Sequence, residues 1–218
     1  MSAIQPMSAT DCAAALRVSR ETQDRLETYV EVLLHWQRRR NLIGRGTVAD
    51  IWRRHILDSG QLAAHIPPDA RRITDLGTGA GLPGLVLAII TGVETDLIEA
   101  DSAKAAFLAE ALRLTSAPGM VHRMRIEAVE PWPTDVLTAR ALAPLETLLG
   151  YAMPFFRASP PGKPVGIFPK GAQWHRELTD SAKTWHMSVH QAPSATDPDA
   201  QILILTDVAP VRHSASQR

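Results

Sequence analysis

Between Arg72 and Ile90 the chain reads Arg72-Ile73-Thr74-Asp75-Leu76, then Gly77-Thr78-Gly79-Ala80-Gly81-Leu82-Pro83-Gly84, then an apolar run. A short buried stretch, a turn with glycine at every second position and a proline heading an apolar segment describe a strand, a tight turn and a helix. Glycines allow positive φ there and let the backbone approach a ligand. In an open α/β sheet such a turn lies at the carboxyl end of the first strand, where ligands bind.

The rest of the chain repeats the alternation. Strands are expected at Thr95–Glu99, Val121–Met124, Asp135–Thr138 and Val165–Phe168. Helices are expected over Pro83–Ile90, after a cap at Ser102, around Leu145, Leu148, Leu149 and Ala152, and over Ala172–Thr184. Such alternation gives a mostly parallel, doubly wound sheet with helices on both faces. Two last strands, Trp185–His190 and Gln201–Thr206, have no helix between them, which implies an antiparallel strand at one edge.

Ahead of this core the pattern is helix after helix. Ser19 caps a helix whose apolar face is Leu26, Tyr29, Val30, Leu33 and Leu34, and which should stop near Gly44. A second helix is expected from Thr47, where Thr47-Val48-Ala49-Asp50 resembles a capping box, to just before Pro67-Pro68. Residues 1–18 show weak periodicity and are expected to be loosely ordered or partly helical. The organisation that follows is an N-terminal helical extension (1–68), a core (69–209) and a disordered tail (210–218).

Composition sets limits. No apolar run approaches the roughly 18 residues needed to cross a bilayer, and the N-terminus lacks the basic start of a signal peptide. Cys12 is the only cysteine, so neither an internal disulfide nor a cysteine metal cage is available. No histidine pair has metal-ligand spacing, and no metal is expected. A cytoplasmic, monomeric protein is expected. Net charge is zero, against a chain-wide grip on nucleic acid, yet residues 1–72 carry 11 Lys and Arg against 8 Asp and Glu. Arg38, Arg39, Arg40, Arg45, Arg53 and Arg54 supply much of that excess, as a solvated face or a patch for RNA.

The glycine turn can be parsed in two ways. Gly79-x-Gly81-x-x-Gly84 is formally a dinucleotide fingerprint, which would make the protein an NAD(P)-dependent oxidoreductase. Gly77-x-Gly79-x-Gly81 preceded by Asp75 is instead a turn suited to the aminoacyl end of S-adenosyl-L-methionine. Asp75 could there meet the cofactor's ammonium or sulfonium, whereas it would repel a pyrophosphate. Glu99, closing the second strand, could accept both ribose hydroxyls. The closing antiparallel pair also favours the second parse. A non-catalytic RNA-binding or assembly factor on the same fold is a third reading.

In detail, Leu76-Gly77-Thr78-Gly79-Ala80-Gly81-Leu82-Pro83-Gly84 together with Arg54-His55-Ile56-Leu57-Asp58-Ser59 resembles the glucose-inhibited division protein B family. Trp36, Asn41-Leu42, Lys104 to Leu108, Arg125-Ile126-Glu127, Arg140-Ala141 and Lys170-Gly171 extend the resemblance over roughly residues 20–207. It implies a class I, Rossmann-like methyltransferase that uses S-adenosylmethionine to methylate N7 of a guanine in 16S ribosomal RNA, free or in the small-subunit particle. It also implies that Gly77 and Leu82 contact the cofactor, that Ile126 and Glu127 flank its adenine, and that Arg140 closes the pocket. Glu99 stands where the family often has Asp, Gln37 to Arg40 replace a lysine-rich stretch, and Pro169 before Lys170 is less usual.

Guanine N7 carries an in-plane lone pair and needs no general base, and none stands out in the sequence. Cytosine C5 methylation would need a cysteine near the fourth strand. Exocyclic amino methylation usually shows Asp or Asn, Pro-Pro and an aromatic, where this chain has Thr138-Ala139-Arg140-Ala141-Leu142. Ribose O-methylation and a small-molecule acceptor are less cleanly excluded. No catalytic residue is assigned, and candidates beside an acceptor pocket are Asn41, His55, Asp58, Ser59 and Lys170. His55, Asp58 and Ser59 share one helical face, where Asp58 and Ser59 could equally just pair with neighbours.

Overall fold

The structure, a computed structural model, describes residues 5–211. Seven strands form one sheet: β1 (Arg72–Leu76), β2 (Glu94–Ile98), β3 (Gly119–His122), β4 (Val136–Thr138), β5 (Val165–Lys170), β6 (Trp185–Pro193) and β7 (Gln201–Pro210). Their order is β3-β2-β1-β4-β5-β7-β6. β1 to β5 pair in parallel, and β7 runs antiparallel to both β5 and β6. The strand order turns back between β1 and β4, so a crevice opens beyond their carboxyl ends. Pro210 closes β7, and the rest of the expected tail, from residue 212 on, lies outside the described residues.

Among the described residues seven α-helices accompany the sheet: α1 (Ala9–Leu16), α2 (Arg20–Gln37), the single turn α3 (Asp58–Gly60), α4 (Gly84–Thr91), α5 (Ser102–Thr115), α6 (Leu145–Ala158) and α7 (Trp174–Ser181). The buried Leu26, Tyr29, Val30 and Leu33 of α2 pack with Leu85, Val86 and Ile89 of α4 and Phe107, Leu108 and Ala111 of α5. On the other face Leu145, Leu148, Leu149, Ala152 and Phe155 of α6 pack over Leu76, Leu137, Phe168, Leu203 and Leu205. Polar bonds also fix α2: the Tyr29 hydroxyl donates to the Ala80 carbonyl, Trp36 Nε1 to Glu110 (2.8 Å) and Arg25 Nε to the Thr115 carbonyl (2.7 Å).

Of the two alternatives for residues 1–18 the partly helical one describes 9–16, a helix that Ser8 and Asp11 open with a reciprocal capping box (Asp11 N to Ser8 Oγ, 3.1 Å). Three local expectations are corrected. α5 is capped by Asp101, whose carboxylate accepts from the amides of Ala103 and Lys104. Pro83 precedes α4 instead of opening it. The helix expected from Thr47 is broken into a 3₁₀ segment (Arg45–Asp50), a π-helical turn (Trp52–Leu57), α3 and a second 3₁₀ segment (Gln61–His65). The apparent box at Thr47 fails because Thr47 donates to the Gly44 carbonyl (2.7 Å), while Asp50 accepts from the Met7 amide (2.9 Å) and lies beside Arg53. Among the described residues no helix is long and apolar enough to cross a membrane.

Candidate active site

Two cavities open beyond the carboxyl ends of β1 and β4, and both use Ala141 and Leu142 as wall. The smaller, about 370 Å³, is lined by Gly77 and Gly79 of the glycine turn, Ile98 and Glu99 at the end of β2, Lys104, Ile126 and Glu127. Glu99 is 9 % exposed and braces this cavity's floor. Its Oε2 accepts from the Gly79 amide (2.9 Å) and its Oε1 from the Asp101 amide (2.8 Å). Each carboxylate oxygen has a second lone pair, so the group can still accept from two hydroxyls of a ligand. Gly79 has φ +59°, and a Cβ built there would meet nothing nearer than the Gly77 carbonyl at 3.9 Å. The turn is therefore shaped by backbone conformation, with open space above it for a ligand.

The glycine turn is held from beneath. Asp75 is fully buried; its Oδ2 accepts from the Gly84 amide (2.9 Å) and its Oδ1 from the Thr138 hydroxyl (2.9 Å). It thus ties β1 to β4 and α4, and it lies behind the cavity wall, not on it. Burial raises its pKa to about 6, opposed by the Gly84 and Thr138 bonds and by the charge of Arg140. Gly81 and Leu82 are likewise buried behind the turn.

The larger cavity, about 570 Å³, is lined among others by Thr47, Arg54, His55, Asp58, Arg140, Lys170 and Glu177. Arg140 organises one side of it. Its Nη1 donates to Asp58 Oδ2 (2.9 Å) and to the Arg54 carbonyl (3.2 Å), and its Nη2 to His55 Nδ1 (3.0 Å). A guanidinium only donates, so His55 Nδ1 accepts and the imidazole proton sits on Nε2. That proton is directed to Thr47 Oγ1 (2.7 Å). Burial first, and Arg140 second, lower the His55 pKa to about 4. Asp58 also accepts from Thr196 (2.6 Å) and Gln61 (3.3 Å).

The residues singled out in the sequence thus separate. Gly77, Gly79, Glu99, Ile126 and Glu127 gather in the smaller cavity. His55, Asp58, Lys170 and Arg140 gather in the larger one. Arg140 stands with Asp58 and His55 across the shared wall from the expected adenine site. Two candidates lie elsewhere: Asn41 is exposed on its loop, near Arg45 (3.4 Å), and Ser59 is fully buried, its hydroxyl without a hydrogen-bond partner among the described residues. Glu177 is a cavity residue to which no sequence signal points. Nothing in α7 distinguishes it until the fold sets it against Lys170 (2.8 Å). Among the described residues no three His, Cys, Asp or Glu side chains cluster as a metal site.

This strand order, with a glycine turn after β1 and an acidic residue closing β2, defines a class I methyltransferase fold, the architecture of S-adenosylmethionine-dependent enzymes. Solved structures share the fold at low identity. An O-methyltransferase from Bacillus cereus in complex with SAH superposes with TM-score 0.55 at 15% identity, covering 83% of this chain and 91% of that one. A ribosomal protein L11 methylase from Lactobacillus delbrueckii subsp. bulgaricus gives 0.54 at 12% identity, covering 72% and 78%. The sequence profile of the rRNA small subunit methyltransferase G family, GidB, matches residues 22–203. Proteins named ribosomal RNA small subunit methyltransferase G from Rhodospirillum rubrum and Rhodospirillum centenum are each 48% identical. They cover 90% and 93% of this chain and 96% and 92% of their own lengths. The chain belongs to this methyltransferase family.

Proposed function

We propose that the protein transfers a methyl group from S-adenosylmethionine to N7 of a guanine in 16S ribosomal RNA, with the smaller cavity holding the cofactor and the larger one the base. The observation that carries this reading is the shared wall at Ala141 and Leu142, which sets the cavity that contains Glu99 beside a larger cavity edged by His55, Asp58, Arg140, Lys170 and Glu177. Glu99 fits the ribose hydroxyls, Gly77 and Gly79 leave room for the aminoacyl end, and Ile126 offers apolar surface to the adenine. Bound there, S-adenosylmethionine supplies a methyl group carried on a sulfonium. Glu99→Ala should weaken binding of the demethylated cofactor by about 1–3 kcal/mol, the scale of a charge-assisted hydrogen bond. Calorimetry giving unchanged affinity, or a preference for NAD(P), would return the turn to its dinucleotide parse.

The reading of N7 rests on the family resemblance, and the side chains around Arg140 are compatible with it. His55 has its Nδ1 lone pair occupied by Arg140, and Asp58 is spent on Arg140, Thr196 and Gln61. Neither is free to take a proton, and a ring nitrogen with an in-plane lone pair needs none taken. The role left to these side chains is to position the base beside the methyl group. The single-turnover rate should therefore be level between about pH 6 and 9, where a base-dependent hydroxyl acceptor would give a rising limb. A steep limb assigned to one residue would point to ribose O-methylation instead.

RNA would meet the basic residues unevenly. Arg38, Arg39, Arg40 and Arg45 are exposed, and Arg54 is exposed at the rim of the larger cavity. Arg53 is turned inward, donating to the Gln5 carbonyl (3.1 Å) and lying 3.5 Å from Asp50. Charge removal at Arg38, Arg39, Arg40 or Arg54 should lower the salt slope of RNA binding by about one for each phosphate no longer neutralised. Arg53→Ala should leave that slope alone; equal slope changes from both groups would remove this distinction.

A further inference from the structure

The larger cavity holds a charged pair with unused hydrogen-bonding capacity. Lys170 Nζ donates to the Ala143 carbonyl (2.9 Å) and to Glu177 Oε2 (2.8 Å), which leaves one of its three protons. Glu177 Oε2 also accepts from the Leu145 amide (2.8 Å), whereas Oε1 accepts no hydrogen bond among the described residues. Both side chains line the cavity and are largely withdrawn from solvent, 9 % and 24 % exposed. A donor and an acceptor are thus presented side by side, in a setting where unpaired charge is costly.

We propose that Lys170 and Glu177 read the edge of the target guanine, the lysine donating to O6 and Glu177 Oε1 accepting from N1–H and the N2 amino group. This rests on the guanine reading above and names the groups that enforce it. Adenine and cytosine present an amino donor and a bare ring nitrogen in the corresponding places. Each would face a donor with a donor and an acceptor with an acceptor, a strong basis for rejection. Uracil matches the pair in its O4 and N3–H but has no N7.

The loop order supplies the direction. Ala141 and Leu142 form the wall shared with the smaller cavity, the lysine is bonded at Ala143, and the carboxylate at Leu145. Around guanine the corresponding order is N7, O6, then N1 and N2. Setting O6 on Lys170 and N1 and N2 on Glu177 leaves N7 at the end that faces the shared wall. The same pair that selects the base also aims its nucleophilic nitrogen.

Inosine in place of the mapped target guanine is the probe, because it keeps N7, O6 and N1–H and lacks only the N2 amino group. With full-length protein, S-adenosylmethionine and ligated small-subunit RNA, the wild type should lose about 10–100-fold in kcat/KM on inosine, the scale of a hydrogen bond to a charged group. Glu177→Ala should lose at least that factor on guanine, because it gives up the N1–H contact as well, yet show an inosine penalty below about 3-fold, while calorimetry finds cofactor affinity within about 2-fold of wild type. If Glu177→Ala fails to fold, Glu177→Gln takes its place; its amide keeps the Leu145 bond but turns a donor toward N2, so the penalty should again vanish. A wild type indifferent to inosine, or a penalty undiminished in the variant, overturns the proposal and leaves Glu177 as a brace for Leu145 and Lys170. A wild-type product other than 7-methylguanosine would instead mark failure of the guanine reading itself.

Discussion

Gly84→Val should lower unfolding stability by roughly 3–5 kcal/mol, the sum of overpacking and the loss of a buried hydrogen bond. The reason is steric, since Gly84 is the first residue of α4 and lies directly on β1. A Cβ built there would stand 2.6 Å from Asp75 Cβ, 2.6 Å from Leu97 Cδ2 and 2.7 Å from Asp75 Oδ2. Moving the helix away to relieve this would pull the Gly84 amide from Asp75, leaving a buried carboxylate under-satisfied. Gly79→Ala is the control, because its Cβ meets open space and only the positive φ is penalised, about 1 kcal/mol. Urea titration of both variants checks the contrast, and equal midpoints would contradict the packing account of the turn.

Asp75 and His55 should give opposite pH dependences of stability, visible once either is removed. His55 has its pKa lowered to about 4 from 6.5, so its contribution is intact above pH 6.5 and lost as pH falls through 4. Asp75 is raised to about 6 from 3.8, so its contribution is intact below pH 3.8 and lost as pH rises through 6. Each shift corresponds to about 3 kcal/mol, and between pH 4 and 6 the two largely cancel. Relative to wild type, Asp75→Asn should therefore lose about 3 kcal/mol more on acidification from pH 6.5 to 4, and His55→Gln about 3 kcal/mol less. Denaturation midpoints across that range provide the measurement. Parallel curves for wild type and both variants would mean that these groups keep ordinary pKa values in the folded protein.

The core was legible in the sequence because its signals are local. Strand, glycine turn and helix lie within twenty consecutive residues, and the strands fall within a few residues of where the apolar runs placed them. The closing β6–β7 pair was legible for the same reason. The N-terminal helices were legible only in part. The pattern Ser8-Ala9-Thr10-Asp11 carried the same information as Thr47-Val48-Ala49-Asp50, but only the first is a working capping box. What separates them is tertiary: Asp50 is claimed by the Met7 amide and Thr47 by Gly44 and His55.

The site divides along the same line. Gly77, Gly79 and Glu99 follow directly from their strands, so their placement in one cavity could be read from spacing. Asp75 occupies the expected strand end, but sequence does not say that Gly84 and Thr138 consume its oxygens from either side. Arg140 was expected beside the cofactor, whereas its partners Asp58 and His55 come from a segment 82 and 85 residues away. Glu177 carries no local mark at all, and its chemistry exists only through Lys170.

Purified protein, methyl-tritiated S-adenosylmethionine and small subunits from cells lacking the gene make the most direct test of the central claim. Digestion to nucleosides should place the label in 7-methylguanosine, arising from one position of the 16S RNA. Label in a 2′-O-methylated nucleoside, a methylated adenine or a methylated cytosine would contradict the account, as would no transfer to subunits or to their extracted RNA.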